Sequence, residues 1–130
     1  MTEKKSIRTS KREVIIDLTD IVRDIVHDSG ILEGTVLVYV PHTTAAVAIN
    51  ENADPTVKTD FQKFMSELIP YDMPFSHMEG NSDAHIKSIL VGSSIIVPIC
   101  DGEMLLGTWQ GIYFCEFDGP RNRNIIISVN

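Results

Sequence analysis

The chain has 130 residues, a formal net charge of −7 at pH 7 and a pI near 4.9. This acidic balance excludes general binding to nucleic acid or to an anionic membrane surface, because both need a basic face. No apolar stretch approaches the roughly 18 residues that a membrane helix needs, and the charged start, Met1–Lys5, lacks the apolar region of a signal peptide.

A single domain over residues 1–130 is expected at this length. The two cysteines, Cys100 and Cys115, fit neither a disulfide framework nor the spacing of a zinc-binding motif. We therefore expect a reducing, cytoplasmic location in which both thiols are small buried residues.

The first half of the chain alternates strand and helix patterns. Three segments predict strands: Ile7–Ile16, Thr35–Val40 and Ala45–Ile49. Apolar residues at helical spacing between the first two predict a helix that ends at Gly30. Asp17 or Thr19 is a candidate N-cap for this helix.

Two further helices are predicted in the middle of the chain. Asp54-Pro55 is typical of a helix start, and Pro70 ends that helix. Its predicted apolar face is made of Val57, Phe61, Phe64, Met65 and Leu68. The third helix is predicted over Ser82–Val91, with an apolar face of Ile86, Ile89 and Leu90. His85 lies about 100° around from Ile86, at the edge of that face.

The last third of the chain predicts strands only. They are Ser94–Cys100, Glu103–Leu106, Ile112–Phe117 and Ile125–Val129. Asp101-Gly102 is typical of a two-residue hairpin turn between the first two. Helices early and a meander late predict an α+β fold, with about three helices packed on largely antiparallel sheets.

Three of the four histidines lie outside the predicted apolar faces. His42 follows a strand, and His77 and His85 flank an acidic, glycine-containing break. Zinc in catalytic sites often takes three protein ligands, so these residues are candidate metal ligands, with Glu51 or Asp83 as a base or as an orienting group. Surface histidines beside helix caps are the alternative. His27, in the last turn of the first helix, is expected only to interact with the helix dipole.

Other polar segments are candidate ligand contacts. Trp109 and Gln110, between two glycines, predict either a pocket wall or a bulge that places the tryptophan in the core or at an interface. Asn50 and Glu51 are predicted either to contact a ligand or to form a turn before Asp54. Lys87 and Arg121 are candidates for binding a phosphate. Thr43 is a further candidate ligand contact.

Several of these segments occur together in one order: Pro41–Ala45, Ile49–Pro55, His77 with Glu79-Gly80, Ala84–Lys87 and Leu106–Tyr113. In this order they resemble the YjbQ-like family, often labelled secondary thiamine-phosphate synthase. The resemblance implies an α+β homotrimer with the histidines near a subunit boundary. It also implies a thiamine-phosphate synthase side activity, which joins a pyrimidine diphosphate to a thiazole phosphate and releases diphosphate.

The leading hypothesis is a small metal-dependent enzyme acting on a phosphorylated or heterocyclic metabolite. His42, His77 and His85 would hold a divalent ion, and zinc is favoured over magnesium because magnesium prefers oxygen ligands. Two other classes stay open at this point: a non-catalytic trimeric protein that binds a metal or a metabolite, and a structural role in which the histidines form interface hydrogen bonds.

Overall fold

The computed structural model describes residues 1–130 and has the predicted α+β architecture, with three helices and two antiparallel sheets. In chain order the elements are β1 (Thr2–Arg8), β2 (Val14–Asp17), α1 (Thr19–Ser29), β3 (Gly34–Tyr39), β4 (Ala45–Glu51), α2 (Pro55–Leu68), α3 (Ser82–Val91), β5 (Ser94–Cys100), β6 (Glu103–Met104), β7 (Gln110–Glu116) and β8 (Asn122–Val129). None of the helices is long and apolar enough to cross a membrane.

The two sheets share the main core. The larger sheet has the order β1-β8-β3-β5-β6 and the smaller has the order β2-β7-β4. A cluster of 17 buried residues joins one face of each sheet to α1. The other face of the smaller sheet packs against α3 through a second cluster, made of Ala46, Ala84, Tyr113, Cys115 and Phe117. The smaller sheet is therefore covered on both faces.

Local sequence signals explain the ends of several elements. The Asp17 carboxylate accepts a hydrogen bond from the backbone N–H of Thr19, the first residue of α1, although the N-cap position itself is occupied by Leu18 and not by Asp17 or Thr19 as predicted. Gly30 ends that helix with a φ of 69°, a conformation that glycine adopts without strain. Asp101 and Gly102 both have positive φ, as a type I′ hairpin turn requires.

Two predicted strands differ from the structure. The segment predicted as one strand, Ile7–Ile16, is divided between β1 and β2, which belong to different sheets. Alternation of polar and apolar residues does not reveal a crossover of this kind. The strand predicted over Glu103–Leu106 is only two residues long.

The two cysteines differ in burial. Cys115 is fully buried on β7, and burial raises the pKa of its thiol to about 12, so it stays protonated and unreactive. Cys100 is half-buried at the end of β5.

Helices α2 and α3 begin and end as predicted, but their predicted apolar faces are only partly buried, with Phe61 of α2 packed against the second cluster. On α2 only Met65 is buried, and Phe64 and Leu68 are exposed. On α3 the buried residues are Asp83, Ala84, Lys87 and Ser88, whereas Ile89 and Leu90 are exposed. The small side chains of α3 face the smaller sheet, and Asp83 and Lys87 pair with Arg12 and Glu13, which directly precede β2.

Candidate functional site

Three histidines from separate segments line one polar cavity. His42 follows β3, His77 lies in the loop between α2 and α3, and His85 lies on α3. The cavity has a volume of about 420 Å³ and no hydrophobic residue in its lining. A neighbouring cavity of about 340 Å³ shares His42, Thr43 and His85 and extends to Ile89. The structure therefore brings together the three histidines, with Thr43 beside them.

One ring nitrogen of His42 is already engaged in a hydrogen bond. Its Nε2 accepts a hydrogen bond of 2.9 Å from the backbone N–H of Asn124. A neutral imidazole whose Nε2 accepts carries its proton on Nδ1. Burial and the nearby charge of Arg123 lower the pKa of His42, which favours this neutral form. In this arrangement His42 offers a hydrogen-bond donor and no free lone pair for a metal.

His77 and His85 form a close pair. Their ring centroids are 5.2 Å apart, with the rings nearly perpendicular. Glu79 lies beside them, with its carboxylate 3.9 Å from the Nε2 of His77. The trio of potential metal ligands whose donor atoms lie within 4.8 Å of one another is elsewhere, at Glu33, Cys100 and Asp101. The three histidines therefore line one cavity, but their ring nitrogens do not all lie close enough together in this structure to bind one ion.

Two arginines line the cavity, and each is paired with a carboxylate. Arg121 is half-exposed, and its guanidinium donates to the backbone carbonyl and to the carboxylate of Asp118. Arg123 is buried, and it donates to the Glu116 carboxylate and to the Thr44 hydroxyl. Arg121 is thus a predicted phosphate contact that the structure brings to the cavity.

Asn81 and Asp118 also line the cavity, and neither is among the residues predicted for the site from the sequence. The Asn81 Nδ2 donates to Asp118 Oδ2 at 2.8 Å, and Arg121 donates to the same oxygen at 3.0 Å. Asn81 directly precedes α3, so a capping residue is the obvious interpretation from sequence. No pattern in the sequence links it to Asp118, which lies 37 residues further along.

Asp83 and Lys87 are not available at the cavity, contrary to their predicted roles. Asp83 is fully buried and accepts two hydrogen bonds from the Arg12 guanidinium. Lys87 is also buried and donates to Asp83 and to Glu13. Burial alone would raise the pKa of Asp83, but hydrogen bonds from Arg12 and Lys87 outweigh it and lower the pKa. A carboxylate held this way is a poor base, and the lysine has no free charge for a phosphate.

The remaining predicted site residues lie at the end of β4 that is far from the cavity. They are Asn50, Glu51, Trp109 and Gln110. Glu51 pairs with Gln110 and Asn50 with Gly111 across β4 and β7. From Ala45, beside the cavity, this end is roughly 20 Å away at the rise of a β-strand. Glu51 accepts a hydrogen bond from the Ala53 backbone N–H, Gln110 accepts one from Gly107, and Trp109 is 64% exposed. Within one chain these residues form turns and do not reach the histidines.

Nearly the whole chain matches one family model. The model described as "UPF0047 protein YjbQ-like" covers residues 3–130. The chain belongs to the YjbQ-like family. This agrees with the resemblance seen in the ordered sequence motifs.

Relatives and solved structures agree with this assignment. A UPF0047 protein of Methanocaldococcus jannaschii is 53% identical over 129 residues, which are 99% of this chain and 94% of the relative. The UPF0047 protein YugU of Bacillus subtilis is 48% identical, over 99% of this chain and 98% of its own. A crystal structure of a YjbQ/UPF0047 protein from Clostridium acetobutylicum is 45% identical, covers 98% of this chain and 99% of its own, and superposes with a TM-score of 0.97. The fold is therefore that of the YjbQ-like family.

Proposed function

We propose that the chain is a small cytoplasmic enzyme that binds a phosphorylated or heterocyclic metabolite in the histidine cavity, with a divalent metal ion as cofactor. One observation carries the proposal: three imidazoles reach one polar cavity from separate segments, together with Arg121. Imidazole serves both as a metal ligand and as an acid–base group near neutral pH. A guanidinium binds phosphate oxygens in a bidentate manner. The cavity volume suits a compact metabolite.

Zinc or another transition metal suits this cavity better than magnesium, because the nearest candidate ligands are nitrogens. His77 and His85 would hold the ion, with Glu79 as the adjacent carboxylate. His42 fits a metal less well, because its Nε2 already accepts the Asn124 N–H. We assign His42 the role of donating its Nδ1–H to the bound metabolite. A bound ion would supply a Lewis acid for a phosphoryl or carbonyl oxygen.

Metal analysis of protein purified without a histidine tag, after exposure to Zn²⁺, tests the cofactor. We expect about one ion per chain, and we expect His77→Ala and His85→Ala to lose it. His27→Ala is the matched control, because His27 binds Glu103 outside the cavity. Absence of stoichiometric metal in the unmodified protein overturns the metal proposal.

Turnover assays then separate an enzyme from a binding protein. The substrates are simple phosphate esters and the two thiamine precursors, the pyrimidine diphosphate and the thiazole phosphate. We expect turnover that His85→Ala abolishes. Stoichiometric metal without turnover of any of these would instead favour the alternative, a non-catalytic trimeric metal- or metabolite-binding protein.

We also propose that the chain assembles as a homotrimer whose interface adjoins the cavity. The support is apolar surface in the isolated chain: Ile89, at the rim of the second cavity, is 79% exposed, and the adjacent Leu90 is also exposed. Contiguous exposed apolar side chains mark protein interfaces. Light scattering on a size-exclusion column measures the molar mass, and a monomer at micromolar concentration contradicts this part of the proposal.

In a trimer, the remaining predicted site residues of one chain would line the histidine cavity of a neighbouring copy. These residues are Asn50, Glu51, Trp109 and Gln110. Mixed oligomers test this once an activity is measured. Glu51→Gln and His85→Ala chains are each expected to be inactive, and unfolding and refolding them together should restore part of the activity. Failure to restore any activity contradicts a shared site.

A further inference from the structure

The second cavity, of about 340 Å³, shares part of its wall with the histidine cavity. The shared residues are His42, Thr43 and His85, which come from the segment after β3 and from α3. A single shared residue can separate two unrelated cavities, but three residues from two segments form a common boundary. The two cavities are therefore adjoining compartments of one site, with the two histidines between them.

The two compartments differ in their chemistry. The histidine cavity has no hydrophobic residue in its lining and contains Arg121. The second cavity contains no lysine, arginine, aspartate or glutamate, and beyond the shared boundary it is lined by Ala45, Ser88, Ile89, Gly92 and Ser93. An anionic group is therefore matched by the first compartment and an uncharged group by the second.

The floor of the second cavity is fixed by the backbone. It lies where the end of α3 joins both sheets: the Gly92 carbonyl accepts from the Val47 N–H of β4 at 3.1 Å, and the Ser93 carbonyl accepts from the Val40 N–H after β3 at 2.8 Å. Gly92 has a φ of 104°, which favours glycine, and an added Cβ there would meet no atom of another segment within 4 Å. The space is thus part of the fold and does not depend on one side-chain rotamer.

We propose that the second cavity binds the organic part of the ligand, an uncharged planar ring, while the phosphate of the same ligand lies against Arg121. The inference rests on the proposed function of the histidine cavity and narrows its ligand class to phosphate esters whose ring lies within one or two bonds of the phosphate. The ring would pack against the imidazoles and against Ile89, which is a specificity-determining residue at the rim. The bond between phosphate and ring then lies beside His42, Thr43 and His85.

Two small probes isolate the ring. Methylphosphonate and phenylphosphonate carry the same anionic group and differ in the group attached to phosphorus. Isothermal titration calorimetry on the intact protein, with and without Zn²⁺ and at a pH where both probes are fully ionised, measures the two dissociation constants. We expect phenylphosphonate to bind about tenfold more tightly, because the ring leaves water for the cavity. Arg121→Ala should weaken both probes equally and leave their ratio unchanged.

A matched pair of variants on α3 separates the cavity from the apolar surface around it. Ile89 and Leu90 are adjacent and both exposed, but only Ile89 lines the second cavity. In Ile89→Ser the preference for phenylphosphonate should fall to about twofold or less, and in Leu90→Ser it should persist. A general effect of lost association between copies would change both variants alike.

A second matched pair fills the cavity instead. Ser93 and Ser94 are both exposed, but only Ser93 lines the second cavity. Ser93→Phe should reduce the ratio of the dissociation constants to about one while methylphosphonate still binds, and Ser94→Phe should leave the ratio unchanged. Ser93→Leu is a smaller replacement in case phenylalanine disturbs the start of β5.

The outcomes separate this inference from the proposed function. Equal binding of both probes to the unmodified protein, or a phenyl preference that survives Ile89→Ser and both Ser93 variants, overturns the ring site and leaves phosphate binding intact. Loss of the preference only in Phe75→Ser also overturns it, since the ring would then lie in the cavity of about 300 Å³ beside Phe75 and His77. Absence of binding by either phosphonate, with and without Zn²⁺, overturns both proposals.

Discussion

Helices α1 and α3 are of similar length but pack in opposite ways. Helix α1 turns Val22, Ile25 and Val26 into the main core and leaves its charged residues in solvent. Helix α3 buries Asp83 and Lys87 and exposes Ile89 and Leu90. Hydrophobic burial favours the first arrangement, so the second requires compensation.

The compensation comes from the crossover between the two sheets. Arg12 and Glu13, which lie between β1 and β2, pair with the buried charges of α3. These contacts fix the helix that carries His85. Helix α1 therefore serves mainly the stability of the core, whereas α3 positions His85 at the cavity and leaves Ile89 and Leu90 exposed.

The largest difference in stability between the two helices is expected when the acidic residue in the first turn of each is replaced. Asp83→Ala removes the fully buried partner of Arg12 and Lys87 and leaves both only the partly exposed Glu13, and we expect it to lower the free energy of unfolding by about 3 kcal/mol. Asp20→Ala, in the first turn of α1, removes an exposed pair with Arg23 and should change it by less than about 1 kcal/mol. Urea denaturation of both variants measures the difference. Similar losses at the two positions would mean that the buried network does not hold α3.

The comparison of the two helices also shows what a sequence can predict. The spacing of the apolar residues is enough to place α3 at Ser82–Val91, but it does not tell which face of the helix is inward. That depends on Arg12 and Glu13, some 70 residues earlier, whose charges make burial of Asp83 and Lys87 possible. Helix α1 was predictable because its core is apolar and needs no specific partner.

The second prediction compares an isoleucine on each helix. Ile25→Ala in α1 creates a cavity in the core and should lower the free energy of unfolding by about 2–4 kcal/mol at every protein concentration. Ile89→Ala in α3 removes an exposed side chain, so its effect should grow with protein concentration, since association stabilises the folded state by mass action. Thermal unfolding at several concentrations distinguishes them. An Ile89→Ala effect independent of concentration would contradict an interface at α3.

The candidate site was predictable to a similar extent. Histidines outside apolar faces, in segments that end strands or begin helices, were enough to single out His42, His77 and His85, which the structure brings to one cavity. Asn81 and Asp118 were missed because their pairing is a tertiary contact between common loop residues. Asp83 and Lys87 were misplaced because a polar residue on a helix normally faces solvent.

The smallest change in stability is expected on acidification, and its structural consequence should be confined to the residues around the histidine cavity. The folded state lowers the pKa of His42 below its ordinary value of 6.5, through burial and the charge of Arg123. Above pH 6.5 the residue is neutral in both the folded and the unfolded chain. As the pH falls below 6.5 the unfolded chain takes up the proton first, so the contribution of His42 to stability is progressively lost.

Protonation also has a specific structural consequence. A proton on Nε2 would face the backbone N–H of Asn124, so the hydrogen bond between them cannot persist. Hydrogen exchange at the Asn124 amide should therefore lose protection below pH 6.5 by more than exchange at Gly30, whose N–H bonds to the His27 carbonyl in α1. In His42→Asn this pH-dependent difference should disappear. An unchanged difference in that variant would place the acid-sensitive group elsewhere in the molecule.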